Sequence, residues 1–100
     1  MRITQAHIEN LTDWINHEKG YPLICWVRDK ANGDRLTAQI GHIHAYRQSG
    51  HWSVVQVVTK GGGERDLRHG TAREVYEFLR GMQEALILDK MTKRYMEKVA

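Results

Sequence analysis

Apolar positions near the start of the chain recur at helical spacing. Ile8, Leu11 and Ile15 are separated by three and four residues, which places them on one face of a helix. Thr4 has a side chain suited to capping that helix, and Gly20 is typical of a helix end. We therefore predict a first helix that packs one face against an apolar surface.

Short apolar or alternating segments follow and predict three antiparallel strands. Leu23 to Val27 is apolar throughout, as in a strand that is covered on both faces or packed in an oligomer. Residues 36–45 alternate, with a change of phase at Gly41-His42 that a β-bulge would repair. The clearest strand runs from Trp52 to Thr59. A short fourth strand over Arg65 to Leu67 is an alternative to an open loop there.

A loop opens at the glycine run 61–63 and extends to Gly70, where a second helix follows. Thr71 to Glu74 has the sequence of a capping box, and apolar positions then keep a helical period to the C-terminus. A continuous helix from Ala72 to about Lys98 would be about 40 Å long, whereas a domain of this size has a radius of gyration of about 13 Å. Its end must overhang, so we expect either a fold-back after a break near Asp89 or cover by a second copy. For such a homo-oligomer the predicted interface residues are apolar: Met91, Tyr95, Met96 and Val99.

These elements predict one α+β domain over residues 1–100, in the order α-β-β-β-α. It has a three-stranded antiparallel sheet, or a four-stranded one, and two helices of which the C-terminal one is long. The chain has 100 residues, 41% hydrophobic and 27% charged, which suits a small globular domain rather than a disordered chain. No apolar run is long enough to span a bilayer. With one cysteine and no apolar stretch typical of a signal peptide, we expect a soluble cytoplasmic protein.

The charge of the chain bears on its ligands. A formal net charge of +3, spread without a basic block, permits weak attraction to phosphate. The best candidate site is the glycine run with the second helix start, where backbone N–H groups, a helix N-terminus and nearby cations suit an anion. The predicted ligand-binding residues are Gly62, Gly63, Arg65, Arg68, His69, Thr71 and Arg73. Alternatively, three carboxylates already neutralise the arginines: Glu64, Asp66 and Glu74.

Histidines and aromatic residues near the second turn offer two further candidates. His42, His44 and His51 could converge as a zinc site, but a fourth ligand is not evident, so we interpret them as solvated and predict no metal or cofactor. Tyr46 and Trp52 flank the turn and are the predicted exposed contact aromatics.

The sequence contains only parts of two known catalytic arrangements. Of the two His-x-Ser/Thr triplets that a two-histidine phosphoesterase requires, we identified only His51-Trp52-Ser53. Cys25 lies in an apolar run, where a nucleophile would lack a base. We therefore predict that the protein is not an enzyme.

Several segments together resemble small accessory proteins of tailed phages and prophages of Gram-negative bacteria. The resemblance covers about residues 8–88 and rests on four segments: Gly20-Tyr21-Pro22, residues 38–44, the glycine run 61–63 and residues 70–81. It departs at Arg47 to Gly50, where such proteins often have a glycine pair. The resemblance implies a phage accessory gene, many of which counter host defences, and it carries over no catalytic residue.

The leading hypothesis is therefore a non-catalytic binding protein, in a counter-defence role, whose arginine and glycine loop takes a signalling nucleotide or nucleic-acid phosphate. A first alternative is an inhibitor that docks on a host protein through its aromatic or C-terminal helical surface. A second is a double-stranded nucleic-acid-binding module, because α-β-β-β-α is also the order of the double-stranded RNA-binding domain.

Overall fold

Two helices and two antiparallel sheets make up the structure, a computed structural model that describes residues 2–99. In chain order the helices and strands are α1 (Gln5–Lys19), β1 (Trp26–Asp29), β2 (Arg35–Ala38), β3 (Ile43–Gln48), β4 (His51–Val57), β5 (Glu64–Gly70) and α2 (Ala72–Val99). Strands β3, β4 and β5 form one sheet in that order, and β1 and β2 form the other. The predicted α+β class with a long C-terminal helix is confirmed.

Both predicted helix starts are confirmed by reciprocal capping bonds. Thr4 Oγ1 accepts from the His7 backbone N–H at 3.3 Å, and His7 Nδ1 accepts from the Thr4 N–H at 3.1 Å. At the second start, the Glu74 N–H donates to Thr71 Oγ1 at 3.2 Å, and the Thr71 N–H donates to Glu74 Oε1 at 3.1 Å. The two bonds with Thr71 hold the pKa of the Glu74 carboxyl below its usual range. Each cap satisfies N–H groups that a helix end leaves without an intrahelical partner.

The core lies between the two helices and one face of the three-stranded sheet, here called the inner face. Its buried residues are Ile8, Leu11, Ile15, Ile43, Trp52, Val54, Val75 and Leu79. Asn16 is buried beside them with 0% of its surface exposed. Its amide donates to the Ile43 carbonyl at 2.7 Å and accepts from the Ile43 N–H at 2.9 Å. These bonds attach α1 to the first residue of β3, in agreement with the rule that buried polar groups are hydrogen-bonded.

The first half of the predicted sheet is arranged differently. Leu23 and Ile24 are exposed, so the expected cover on both faces is absent within residues 2–99. Strand β1 begins later, at Trp26, and pairs with β2 through Ala38. The predicted bulge at Gly41-His42 is instead a complete break between β2 and β3, where Gly41 has a φ of +101° and its N–H donates to the Val57 carbonyl at 2.9 Å. The chain therefore makes a separate hairpin and then enters the main sheet.

Of the two alternatives for residues 61–70, an open loop or a short strand over Arg65 to Leu67, the strand is present and is longer than predicted. Glu64–Gly70 pairs with β4 along its length, with a register irregularity between Val54 and Val55. The connection between β4 and β5 is confined to residues 58–63. Apart from Leu67, the side chains between the two ends of β5 are polar and exposed, so this edge strand has almost none of the apolar alternation that identifies a strand in sequence.

Helix α2 is continuous to Val99, so the predicted fold-back near Asp89 is wrong. Its 28 residues span about 42 Å at the usual rise, and the longest dimension of the molecule is 52 Å. Buried residues of α2 occur only in its first part, at Val75 and Leu79. The predicted interface residues are all exposed: Met91, Tyr95, Met96 and Val99.

Candidate functional site

The predicted ligand-binding residues fall into two groups at opposite ends of β5. Gly62, Gly63 and Arg65 lie at the end that joins the β4–β5 connection, which we call the loop end. The others lie at the end that joins α2, which we call the α2 end: Arg68, His69, Thr71 and Arg73. Since a strand rises by about 3.3 Å per residue, the two ends are separated by about 20 Å. One small ligand therefore cannot contact all seven of these residues.

At the loop end, the glycine amides are engaged within the turn. The Gly62 N–H donates to the Thr59 carbonyl at 3.1 Å, and the Gly63 N–H donates to Thr59 Oγ1 at 2.7 Å. Gly62 has a φ of +98°, and a Cβ there would lie 2.8 Å from the Trp26 ring. The two N–H groups that the prediction assigned to a ligand therefore serve a turn packed under the β1–β2 hairpin.

The predicted arginines have polar partners. Arg65 donates to Gln56 Oε1 from Nε at 3.0 Å and from Nη2 at 2.7 Å. Arg68 Nη2 lies 3.1 Å from Glu74 Oε2, and Arg73 Nη1 lies 3.7 Å from Glu77 Oε1. These pairs are largely exposed, so their contribution to stability is small.

Two other arginines line a cleft at the α2 end, which sequence reasoning did not single out. The cleft has a volume of about 450 Å³ and lies where the N-termini of both helices meet the β3–β4 turn. We call it the N-terminal cleft; its lining residues are Arg2, Ile3, Thr4, Gln5, Arg47, Gly50, Trp52, Thr71 and Ala72. Neither Arg2 nor Arg47 has an ion-pair partner among residues 2–99. Because helix N-termini carry partial positive charge, the cleft is cationic on several sides.

A larger cavity, of about 680 Å³, lies against the β1–β2 hairpin. Its lining includes the cations Arg28, Lys30 and Lys60, but also the carboxylate of Asp29. Arg28 lies 3.8 Å from Asp34 and is partly neutralised. The N-terminal cleft has no carboxylate in its lining, so it is the better match to an anion.

The two predicted contact aromatics lie on opposite faces of the sheet. Trp52 belongs to the core and is 8% exposed, so the prediction that it is exposed is wrong. Tyr46 is 37% exposed, and it lies opposite Ser53 in the β3–β4 register, on the outer face that the helices do not cover. Alternation along β4 explains the difference, because consecutive side chains point to opposite faces.

The three histidines considered for zinc do not converge. His42 and His44 stack with ring centroids 5.3 Å apart, whereas His51 stacks on His69 of β5 at 5.4 Å. His42 is buried, and its Nδ1 donates to the Pro22 carbonyl at 2.8 Å. Within residues 2–99, no group of three or more His, Cys, Asp or Glu side chains is placed to hold a metal ion.

His44 is constrained by its partners at the loop end. Its Nε2 lies 2.9 Å from Glu64 Oε2, across β4, and its Nδ1 is buried without a hydrogen-bond partner in the described part of the chain. Burial lowers the pKa of His44, with a further lowering from His42, while the Glu64 carboxylate opposes the shift. Val55, between them on the outer face, is only 1% exposed. The pair therefore helps to cover the middle of that face.

At the α2 end, the outer face holds a second arrangement. Ser53 pairs with His69 in the β4–β5 register, and Trp52 pairs with Gly70. Ser53 Oγ lies 2.9 Å from His69 Nδ1. The sequence contains a second His-x-Ser/Thr triplet, His69-Gly70-Thr71, so the prediction that only His51-Trp52-Ser53 qualifies is wrong.

Comparison with known proteins adds no family: no family model matches the chain, and neither the curated proteins nor the solved structures give a match. No helix within residues 2–99 is both long and apolar enough to cross a membrane.

Proposed function

We propose that the protein binds a phosphate-bearing anionic ligand, a signalling nucleotide or a nucleic-acid phosphate, in the N-terminal cleft. The observation that carries the proposal is that Arg2 and Arg47 lie in the same cleft as the starts of both helices. Neither arginine has an ion-pair partner among residues 2–99. Hydrogen bonds from guanidinium groups to phosphate are charge-assisted and are stronger than neutral ones. A volume of about 450 Å³ lies within the usual range for a small-molecule site.

Thr71 connects this cleft to the predicted site. It is a member of the predicted ligand-binding set and also lines the cleft. Its side chain accepts a bond from the Glu74 N–H, which leaves its hydroxyl proton available as a donor. The proposal therefore keeps the anionic ligand of the sequence-based hypothesis and moves it from the glycine loop to the opposite end of β5.

Isothermal titration calorimetry with ATP and with cyclic di-AMP tests the proposal. We expect at least one of the two to bind, and Arg2→Ala and Arg47→Ala each to weaken binding by about tenfold or more, because each removes a charged donor. Lys60→Ala is the matched control, since it removes one exposed cation at the loop end. Binding that is equal in wild type and in both arginine variants, or no binding of either nucleotide, would refute the cleft as the site.

The counter-defence role stays a prediction from the phage resemblance. A nucleotide in the cleft would be sequestered from a host enzyme that responds to it, without any reaction. Expression of the protein in cells that make the bound nucleotide should then lower its free concentration, and the Arg2→Ala variant should not.

A protein partner is a second candidate function, supported by the exposed end of α2. Leu88, Met91 and Tyr95 are spaced along one helix face and are exposed. Lys90 faces the body, because its Nζ lies 3.0 Å from Glu18 Oε1 of α1, and Leu88 is about 160° around the helix axis from it. This apolar face is thus directed away from the core, and an exposed apolar face of this kind favours an interaction.

We propose a second copy of this chain as the partner, with docking on a host protein as the alternative. Native mass spectrometry of the intact chain should show a homo-oligomer that Tyr95→Glu disrupts. Glu97→Ala, on the body side of the same turn, is the control and should leave the oligomer intact. A wild-type monomer would exclude self-association and favour a heterologous partner in a pull-down.

Double-stranded nucleic acid is an alternative ligand. It is supported by the three-stranded sheet with α1 before it and α2 after it in the chain, although the β1–β2 hairpin lies between α1 and that sheet. A 20-base-pair RNA duplex should then bind with strong salt dependence, because phosphate contacts release counterions. Arg65→Ala, Arg68→Ala and Arg73→Ala should each weaken it. Binding that responds neither to salt nor to these changes would remove this alternative.

A further inference from the structure

We propose that the outer face of the sheet at the α2 end hydrolyses small cyclic phosphodiesters, with His51 and His69 as the acid–base pair. This activity goes beyond the proposed binding function and does not depend on it. The two histidines belong to the outer face, whereas Trp52 brings the inner face into the N-terminal cleft. The two proposals can therefore fail separately.

The first observation is the register of two His-x-Ser/Thr triplets. His51-Trp52-Ser53 lies on β4, and His69-Gly70-Thr71 lies at the end of β5. The strands are antiparallel, with Ser53 opposite His69 and Trp52 opposite Gly70. Antiparallel pairing brings His51 next to His69, and their rings are stacked with centroids 5.4 Å apart. Two imidazoles from separate strands thus share one small area of surface.

The second observation is that His69 is held in place. Ser53 is 8% exposed, and its Oγ lies 2.9 Å from His69 Nδ1. In the tautomer in which Nδ1–H donates to Ser53 Oγ, Nε2 has an unshared pair that can accept a proton. Ser53 is therefore a positioning residue, since it orients the ring and selects the nitrogen that reacts.

His51 is free to adjust. Its ring is exposed and stacks on the His69 ring. In the described part of the chain the ring makes no hydrogen bond. A change of rotamer can open the stacked pair and admit a phosphate between the two Nε2 atoms. The charged or polar neighbours include Glu74 of α2, which interacts electrostatically with His51, and two residues of β3: Gln48 opposite His51 and Tyr46 opposite Ser53.

The hydrogen-bonding role of Thr71 differs from that of Ser53. Its hydroxyl oxygen already accepts from the Glu74 N–H as the α2 cap. We therefore assign the acid–base chemistry to the two histidines, with Ser53 as the positioning residue of His69, and we assign no step to Thr71.

The proposed reaction adds water to the phosphodiester. One neutral imidazole takes a proton from water as the water oxygen forms a bond to phosphorus. The bond from phosphorus to one ribose oxygen breaks, its electron pair stays on that oxygen, and the second histidine, as imidazolium, donates a proton there. The product is a phosphomonoester with a free hydroxyl, and exchange of protons with solvent restores both histidines.

The substrate class follows from what the site lacks within residues 2–99. The adjacent Arg68 and Arg73 form ion pairs with glutamates. Neither guanidinium is therefore available beside the two histidines to stabilise a highly charged transition state. A five-membered cyclic phosphodiester is strained and needs less stabilisation than a linear one. Ribonucleoside 2′,3′-cyclic phosphates fit these requirements, and the exposed ring of Tyr46 offers a surface for the base.

Phosphorus NMR of the full chain with adenosine 2′,3′-cyclic monophosphate, in the presence of EDTA, tests the proposal. We expect the cyclic-phosphate resonance to be replaced by a phosphomonoester resonance. His51→Ala and His69→Ala should each lower kcat by about 100-fold or more, with unchanged circular dichroism. His44→Gln is the matched control, because it removes a histidine of the same face outside the pair, and it should retain wild-type turnover.

The pH dependence of kcat/KM and the kinetics of Ser53 variants distinguish a role in the reaction from a purely structural role. Wild-type kcat/KM should be bell-shaped with pH, since one histidine must be neutral and the other protonated. Ser53→Ala should lower kcat by about tenfold with KM unchanged, and Ser53→Thr should restore it. No turnover of the cyclic probe by wild type would overturn the proposal, and so would wild-type turnover in both histidine variants.

Discussion

The two ends of β5 differ in how their polar groups are used. At the loop end, Gly62 and Gly63 donate to Thr59, and His44 is paired with Glu64. These groups have partners within the chain, and they hold the β4–β5 turn and cover the outer face. The loop end is therefore built mainly to support the fold.

At the α2 end, several polar groups lack such partners. Arg2 and Arg47 have no ion pair within residues 2–99, and His51 contacts His69 by stacking alone. Cations without internal partners are available to an outside anion. The glycine run therefore serves the fold of this protein, whereas the proposed ligand site lies about 20 Å away along the strand.

The largest expected effect comes from Asn16, which attaches α1 to β3 near the loop end. Asn16→Ala leaves the Ile43 N–H and carbonyl without their buried partners, and we expect a loss of about 3 kcal/mol in the free energy of unfolding. His17→Ala, at the adjacent exposed position, should change it by less than about 0.5 kcal/mol. Urea unfolding of both variants measures the difference, and equal stability would show that the amide does not anchor the helix.

Gly62→Ala tests the structural role of the loop end directly. The positive φ of +98° and the nearby Trp26 ring should cost about 1–3 kcal/mol. Gly61→Ala is the matched control, since a Cβ there meets nothing within 4 Å. Chemical denaturation should separate the two variants, while nucleotide affinity should be equal in both. A fall in affinity for Gly62→Ala without a fall in stability would return the ligand to the glycine turn.

Thr71→Ala examines how the α2 end is held. Loss of the bond from the Glu74 N–H should destabilise the protein by about 1 kcal/mol. Thr71→Ser retains the hydroxyl and should stay close to wild type. Thermal unfolding gives the comparison, and an unchanged midpoint for Thr71→Ala would contradict the capping role.

The smallest effect is a pH dependence at the loop end. Because burial lowers the pKa of His44, the folded state binds its proton less readily than the unfolded state. Stability from this group is present above about pH 6.5 and is lost as the pH falls below the unfolded pKa. His44→Gln should weaken this loss. Glu64→Gln should strengthen it, since Glu64 opposes the lowering of the pKa.

Urea unfolding between pH 7.5 and 5.0 compares the two variants with wild type. The two changes should have opposite signs. A shift in the same direction for both would mean that the ion pair, rather than the burial of His44, controls the acid response.

The sequence predicted the helices well because their signals are local. Thr4, Thr71 and Glu74 cap as predicted, and α2 keeps its apolar period beyond the core. The break at Gly41 was predicted only as a bulge, and β5 only as a short alternative strand over Arg65 to Leu67, for a physical reason. An exposed edge strand shows little alternation of buried and exposed residues. The strand is stabilised by pairing with β4, and a local sequence pattern does not show that pairing.

The candidate site was less predictable. Arg2 and Arg47 are 45 positions apart and meet only because both helices start beside the β3–β4 turn. Asn16 reads as a polar surface residue, yet it is buried against Ile43. The second triplet, His69-Gly70-Thr71, is visible in the sequence. That His69 lies opposite Ser53 is known only from the register of β4 and β5.

The central claim is that the α2 end, and not the glycine turn, receives the anion. Amide chemical-shift mapping of the isotope-labelled chain during titration with inorganic pyrophosphate tests it most directly. We predict saturating shifts at the N–H groups of residues 5–7 and 72–73, where the helices begin, with little change at residues 61–63. Shifts concentrated at residues 61–63, with the two helix starts unaffected, would contradict the account.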